Sequence, residues 1–198
     1  MIRWLFPLIA LAACSQPTEQ PVDLRVLMTR AQLDTVTTPL LAAELSGPGT
    51  LATLVPVGQN GGIVTWRSRD EVSLSLDHGV VVATRGLGAD LMAADVADTL
   101  LMLRGNHPED GYTRIHTYLD GEYQTRFVAF RCREEVTASE RIEIVEQFHN
   151  TTRIEESCFS PEVNVANTYW VAQDGTIWKS RQWIGFGLGY METHLLIR

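Results

Sequence analysis

The chain has 198 residues, 45% of them hydrophobic and 20% charged, with a formal net charge of −8. That length suits one ordinary domain, and the composition is that of a globular protein, which excludes a disordered or collagen-like chain. The acidic balance speaks against binding a nucleic-acid phosphate backbone or adhering electrostatically to anionic lipid, because both depend on Lys and Arg.

The first segment reads as an address. In MIRWLFPLIALAAC, Arg3 supplies a positive start, residues 4–10 a short apolar stretch, and small residues precede a Cys. The apolar stretch is far shorter than the ~20 residues of a membrane-spanning helix. Leu11-Ala12-Ala13-Cys14 resembles the lipobox of bacterial lipoproteins. In that class the signal peptide, here residues 1–13, is cut away and the Cys thiol, here Cys14, carries a diacylglycerol. Residues 15–21 are polar and contain two prolines, so residues 14–23 form a lipidated Cys and flexible tether. Ser15 is not the Asp that commonly retains such lipoproteins at the inner membrane. The expected location is therefore the outer membrane, facing the periplasm.

Residues 24–198 read as a single β-rich domain. Leu24, Leu27, Met28 and Ala31 fall at helical spacing, so a short N-terminal helical segment is expected over residues 24–33. Ser46-Gly47-Pro48-Gly49 is a break. Residues 51–57, 63–67, 72–76 and 80–84 are short β-branched runs, separated by Asn60-Gly61-Gly62 and His78-Gly79. Residues 87–103 are looser, with a helical turn expected near residues 90–94, and residues 104–111 are a loop. Asp120-Gly121 and Asp174-Gly175 each sit between β-rich arms, the first joining residues 112–119 to 122–133 and the second 165–173 to 176–184. A two-residue loop at Asp174-Gly175 places Val171 opposite Trp178 and Trp170 opposite Lys179. Between these hairpins, Ile142, Ile144 and Phe148 alternate with polar residues as a half-buried strand. The last strand, residues 190–197, runs almost to the final residue and is expected to pair and close the sheet. About ten short antiparallel strands result, an all-β, mainly antiparallel meander that favours a β-barrel-like architecture.

Two cysteines remain, Cys132 and Cys158. In an oxidising periplasm an even pair reads as a disulfide. In a simple meander, however, one strand intervenes between them, and a spacing of ~10 Å exceeds the ~7 Å a disulfide tolerates. Three arrangements stay open: the chain leaves the meander, the cysteines meet at strand ends, or both are reduced and buried. Neither belongs to a CxxC, and His78, His107, His116, His149 and His194 show no ligand spacing, so neither metal nor cofactor is expected.

Two stretches carry a family resemblance. One is residues 62–87, with Trp66-Arg67-Ser68, the Asp77-His78-Gly79 turn and Thr84-Arg85-Gly86-Leu87. The other is Asn167-Thr168-Tyr169-Trp170 through Gly175 to Lys179-Ser180-Arg181-Gln182-Trp183. With the lipobox, they resemble the YjbF/GfcB lipoprotein family, associated with exopolysaccharide and group 4 capsule production. The resemblance implies a β-barrel-like antiparallel fold and carries over no catalytic residue. One departure is visible, since Ile184-Gly185 leads into Phe186-Gly187 where the pattern has Gly-Pro.

The residues with the most to offer a ligand are aromatic and basic. Trp66, Tyr169, Trp170 and Trp183 (with Trp178) present flat apolar faces for sugar rings, and Arg67, Lys179 and Arg181 suit acidic sugars or a partner protein. The competing reading is that these aromatics pack the barrel. The couples Asp70-Glu71, Glu134-Glu135 and Glu155-Glu156 do not make glycosidase pairs, because adjacent strand residues point to opposite faces; solvated loop and edge charges are expected instead. The functional expectation is a non-enzymatic accessory factor in polysaccharide export or assembly, working with export proteins or the polysaccharide itself. The alternative is a carrier whose barrel holds a lipid or small ligand, which an apolar cavity of several hundred Å³ would favour.

Overall fold

The computed structural model describes residues 24, 28–46, 50–106 and 110–198. The signal peptide, Cys14, the tether, the Gly47-Pro48-Gly49 break and His107 lie outside the described residues. In chain order the elements are α1 (Arg30–Leu33), β1 (Leu40–Leu45), β2 (Thr50–Asn60), β3 (Ile63–Ser68), β4 (Ser73–Asp77), β5 (Val80–Arg85), β6 (Ala93–Asp95), α2 (Ala97–Leu103), β7 (Tyr112–Leu119), β8 (Thr125–Ile144), β9 (Gln147–Phe159), β10 (Asn164–Val171), β11 (Ile177–Gly185) and β12 (Gly189–Ile197).

The twelve strands form one antiparallel sheet in the order β5-β4-β3-β2-β1-β12-β11-β10-β9-β8-β7-β6. Each strand except β5 therefore pairs with its successor, and the last pairs with the first. The β12–β1 ladder, Leu41 opposite Leu195 through Leu45 opposite Met191, joins the two ends of the chain in a nearly closed up-and-down barrel. Its one weak point is the junction of β5 and β6. Inward residues from all round the sheet, among them Leu41, Leu54, Leu74, Val80, Phe130 and Ile184, make the principal core. A second cluster sits on the outer face, where Leu24, Leu33, Ile142, Ile144 and Val145 cover Ala42 and Leu196.

Several local expectations need correcting. Leu24 is helical and accepts the Met28 N–H (3.1 Å), in line with the expected N-terminal helical segment; Thr29 is extended and begins the single turn α1, held by a capping box between Thr29 and Gln32, and the chain then enters β1, which sequence pattern had not separated from the helical region. Residues 90–94 are not helical; the helix comes later, as α2, because Asp90 is committed to the sheet junction. The half-buried strand expected around residues 142–148 does not exist by itself. β8 runs on to Ile144 and folds straight back into β9 through Val145 and Glu146, both at positive φ (43° and 64°). No Gly or Asn announces that turn, and a β-branched residue is strained there. Burial of Val145 in the outer cluster compensates. With no intervening strand, Cys132 lies directly opposite Cys158, at a Cα separation of 4.0 Å, and the two are joined in a disulfide.

The second Asp-Gly hairpin also differs in detail. Ala172 N–H donates to Thr176 O, so the loop has three residues, with Gly175 at φ 85°. Val171 then faces Ile177, and Trp178 is bulged out, which restores Trp170 opposite Lys179.

At the weak junction side chains replace the missing ladder. The Arg85 guanidinium donates to the carbonyls of Thr84 (2.6 Å), Leu91 (3.1 Å) and Met92 (3.2 Å). The Asp90 carboxylate accepts from Thr84 Oγ1 (2.9 Å) and from the amides of Gly86 (2.9 Å) and Leu87 (3.2 Å). Across the barrel, the Gln182 side chain accepts from Val81 N–H (2.9 Å) and donates to Gly79 O (3.1 Å), bracing β5 against β11. Replacing Asp90 by Ala should therefore lower stability by about 1–3 kcal/mol and speed hydrogen exchange at the Gly86 and Leu87 amides. Unchanged exchange at both amides would contradict the junction's dependence on this carboxylate.

Candidate functional site

The most concentrated chemistry lies inside the barrel. β7 turns Tyr112, Arg114, His116 and Tyr118 inward, all buried, and leaves Ile115 and Leu119 more exposed on the outer face. This inverts the usual apolar-in alternation, and β9 explains why. Glu156 on β9 is fully buried, correcting the expectation that the Glu155-Glu156 couple is solvated; only Glu155 faces outward, in an ion pair with Arg153. The Glu156 carboxylate receives Tyr112 Oη (2.6 Å), Thr99 Oγ1 of α2 (2.7 Å), Asn167 Nδ2 (2.7 Å), Arg114 Nη1 (2.9 Å) and Tyr169 Oη (3.2 Å). The ladder continues from Arg114 Nε to His116 Nε2 (2.9 Å), and His116 Nδ1 shares a hydrogen bond with Tyr118 Oη (2.9 Å).

The electrostatics follow from that packing. Burial alone would raise the Glu156 carboxyl, but the Arg114 charge and the surrounding donors outweigh it, and the pKa is lowered. Burial, with the Glu156 charge beside them, pushes the Tyr112 and Tyr169 phenols up, so both remain protonated donors. Burial and then the Arg114 charge hold the His116 imidazole well below its usual 6.5, so it stays neutral. Ligand-type atoms of Cys132, Cys158 and Glu156 lie within 4.8 Å of one another, but the two sulfurs are already bonded to each other.

The seven residues singled out for glycan or partner contact are not brought together. Tyr169 is inside the Glu156 network. Trp66 and Trp183 are buried in the principal core, Trp183 against His116, Phe130 and Phe186. Tyr169 and Trp183 have no exposed face for a sugar, because each fills the barrel, and Trp66 keeps only a small exposed part, which borders a cleft at one end of the barrel. Trp170 and Trp178 are half-buried against the outer cluster, with Lys179 over the Trp170 ring (4.9 Å) and His149 stacked on Trp178 (3.7 Å). Lys179 pairs with Glu192 (2.8 Å), and Arg181 lies over Tyr190 (3.6 Å). Burial alone would raise Glu192, but hydrogen bonds from His194 and Lys179 hold it down at about 2. Arg67 is exposed and pairs with Glu71.

The two stretches of family pattern do converge elsewhere. One end of the barrel carries the turns at residues 61–62, 78–79 and 172–176, and between them opens a cleft of about 550 Å³. Leu41, Val64, Trp66, Leu76, Ile177 and Leu195 line it, with Gln59, His78, Asp174 and Arg198 among the polar residues. Gly79 (φ 92°) lets the first stretch close on the second, since a Cβ there would sit 2.9 Å from Ile177 Cβ. A neighbouring cleft of about 670 Å³ lies between α2 and β4–β5.

The model of the group 4 capsule polysaccharide lipoprotein family GfcB, YjbF matches residues 19–196. The chain belongs to this family. Membership makes it a lipoprotein of the cell envelope involved in capsule or exopolysaccharide production. Among solved structures, the hypothetical lipoprotein YmcC of Escherichia coli superposes with a TM-score of 0.72 at 21% identity, covering 85% of this chain and 88% of that one, and shares the fold. A putative exported protein of Bacteroides fragilis with a YmcC-like fold aligns at 9% identity over 81% and 93% of the two chains, with a TM-score of only 0.36. No curated protein matches the chain significantly.

Sequence reasoning missed Glu156, Arg114, His116 and Thr99 as a unit. The available signal was the run Tyr112-Thr-Arg114-Ile-His116-Thr-Tyr118, whose inward alternation is polar and aromatic throughout. Because the folded family domain keeps His116 neutral below 6.5 while the unfolded chain protonates there, stability should fall as pH drops from about 6.5. His149, lowered by burial and then by Arg30, adds to the same slope. Unfolding free energies from denaturant titrations at pH 7.5 and 5.5 should differ clearly in the wild type, by up to about 1.4 kcal/mol per group per pH unit, and less in His116→Gln. An identical slope in that variant would contradict a buried neutral imidazole.

Proposed function

We propose that this protein is an outer-membrane lipoprotein, anchored through Cys14 and facing the periplasm, that acts as a non-enzymatic accessory factor in capsule or exopolysaccharide export or assembly. The observation that carries this reading is the family match across nearly all of the domain. The lipobox spacing before Cys14 and Ser15 after it support the anchor and its membrane. Glu156, the most elaborately bound carboxylate, is sealed from solvent by its five donors, which supports a structural use of the barrel interior. The same packing favours an accessory role over a carrier that encloses its cargo at the barrel centre. What remains to meet an export protein or the polysaccharide is the exterior, including Arg67, Lys179 and Arg181.

A deletion strain complemented by wild type or by Cys14→Ala tests this. Secreted polysaccharide should fall on deletion and recover only with the wild type, while the Cys14→Ala domain leaves the outer-membrane fraction. Unchanged secretion on deletion under inducing conditions, or full recovery by an unanchored domain, would contradict the reading.

A further inference from the structure

The cleft at the barrel end has an apolar wall and a polar rim. Its wall is aliphatic, from Leu41, Val64, Leu76, Ile177 and Leu195, with the Trp66 ring beside them. Sugar hydroxyls placed against that wall would lose water without gaining a partner, whereas a hydrocarbon chain would not. The volume of about 550 Å³ is in the range of small-ligand sites. At the rim Arg198 is paired with Asp174 (2.5 Å) and His78 shares a hydrogen bond with Asp77 (2.6 Å), so the rim offers polar, hydrogen-bonding side chains to a headgroup.

The placement of the chain says where such a ligand comes from. Leu41 and Leu195 line the cleft, while their neighbours Ala42 and Leu196 face outward and are covered by Leu24. The N-terminal segment therefore reaches the domain at the same two strands, and Val145 in the same cluster marks the same end of the barrel. Nine residues separate Cys14 from Leu24, and the ten steps of chain span at most about 35 Å when extended. A domain tethered to a bilayer by so short a segment keeps this end within reach of the lipid surface.

We infer that the cleft binds one acyl chain of a membrane lipid, its tail along the aliphatic wall and its headgroup at the Gln59–His78–Arg198 rim. The inference rests on the cleft and on lipid anchoring at Cys14, and is independent of the role in polysaccharide production. The test uses the full chain carrying Cys14→Ala, so that no anchor competes, titrated with the fluorescent fatty acid cis-parinaric acid. Binding should saturate near one per chain, palmitate should displace the probe, and maltohexaose should not. Gln59→Trp, an exposed rim position that does not disturb the core, and Val64→Trp in the wall should each weaken binding at least tenfold. Ala97→Trp, in the neighbouring cleft beside α2, should leave it unchanged. The inference is overturned by absence of saturable binding, by displacement with maltohexaose, or by loss of binding in Ala97→Trp while the two cleft variants bind normally. Failure here with the deletion phenotype intact would remove the lipid site and leave the export role standing.

Discussion

A single buried carboxylate organises the barrel. Glu156 on β9 is reached by donors from β7 (Tyr112, Arg114), from α2 (Thr99) and from β10 (Asn167, Tyr169). Asn167 in turn accepts the backbone N–H of Trp183 on β11 (2.8 Å), so one ion ties four strands and the helix. A charge removed from water is strongly unfavourable unless paired and hydrogen-bonded, and in this network Glu156 is fully supplied while Arg114 Nη2 has no partner among the described residues. The inverted faces of β7 follow from it, as does the position of α2, whose Thr99 is fully committed. The Cys132–Cys158 bridge between β8 and β9 lies beside the same carboxylate and fixes the strand that carries it.

The residues that mark the family are mostly builders of this barrel. Arg85 and Gly86 of the first stretch, with Asp90 beyond it, hold the junction where the ladder lapses. In the second stretch Ser180 and Gln182 point inward, Ser180 sharing a hydrogen bond with Thr193 (2.6 Å) and Gln182 bracing β5, while Lys179 and Arg181 point outward. The two stretches meet at the mouth cleft because Gly79 packs on Ile177.

Much of the architecture was legible. Short β-branched runs and Asp-Gly turns located most strands, including the strand at residues 190–197, which pairs with β1. The illegible parts share a cause, which is that local pattern does not report tertiary compensation. Val145-Glu146 lacks turn chemistry yet turns, because Val145 is buried by contacts from distant segments. Hiding that turn hid how the strands bring Cys132 opposite Cys158, although compartment alone had favoured their bridge. Glu156 looks like half of a surface couple until Arg114, forty-two positions earlier, is placed beside it. The aromatic residues carried a true signal of importance, but Trp66, Tyr169 and Trp183 spend their surfaces on the core rather than on a glycan.

The most direct test of this account is a double-mutant cycle on Arg114 and Glu156, read from urea unfolding at neutral pH. Arg114→Met and Glu156→Gln should each lower stability by about 3–5 kcal/mol, because each strands a buried polar or charged partner. The double variant should lose much less than the two losses combined. Additive losses, or single losses below about 1 kcal/mol, would show that the barrel does not depend on this pair.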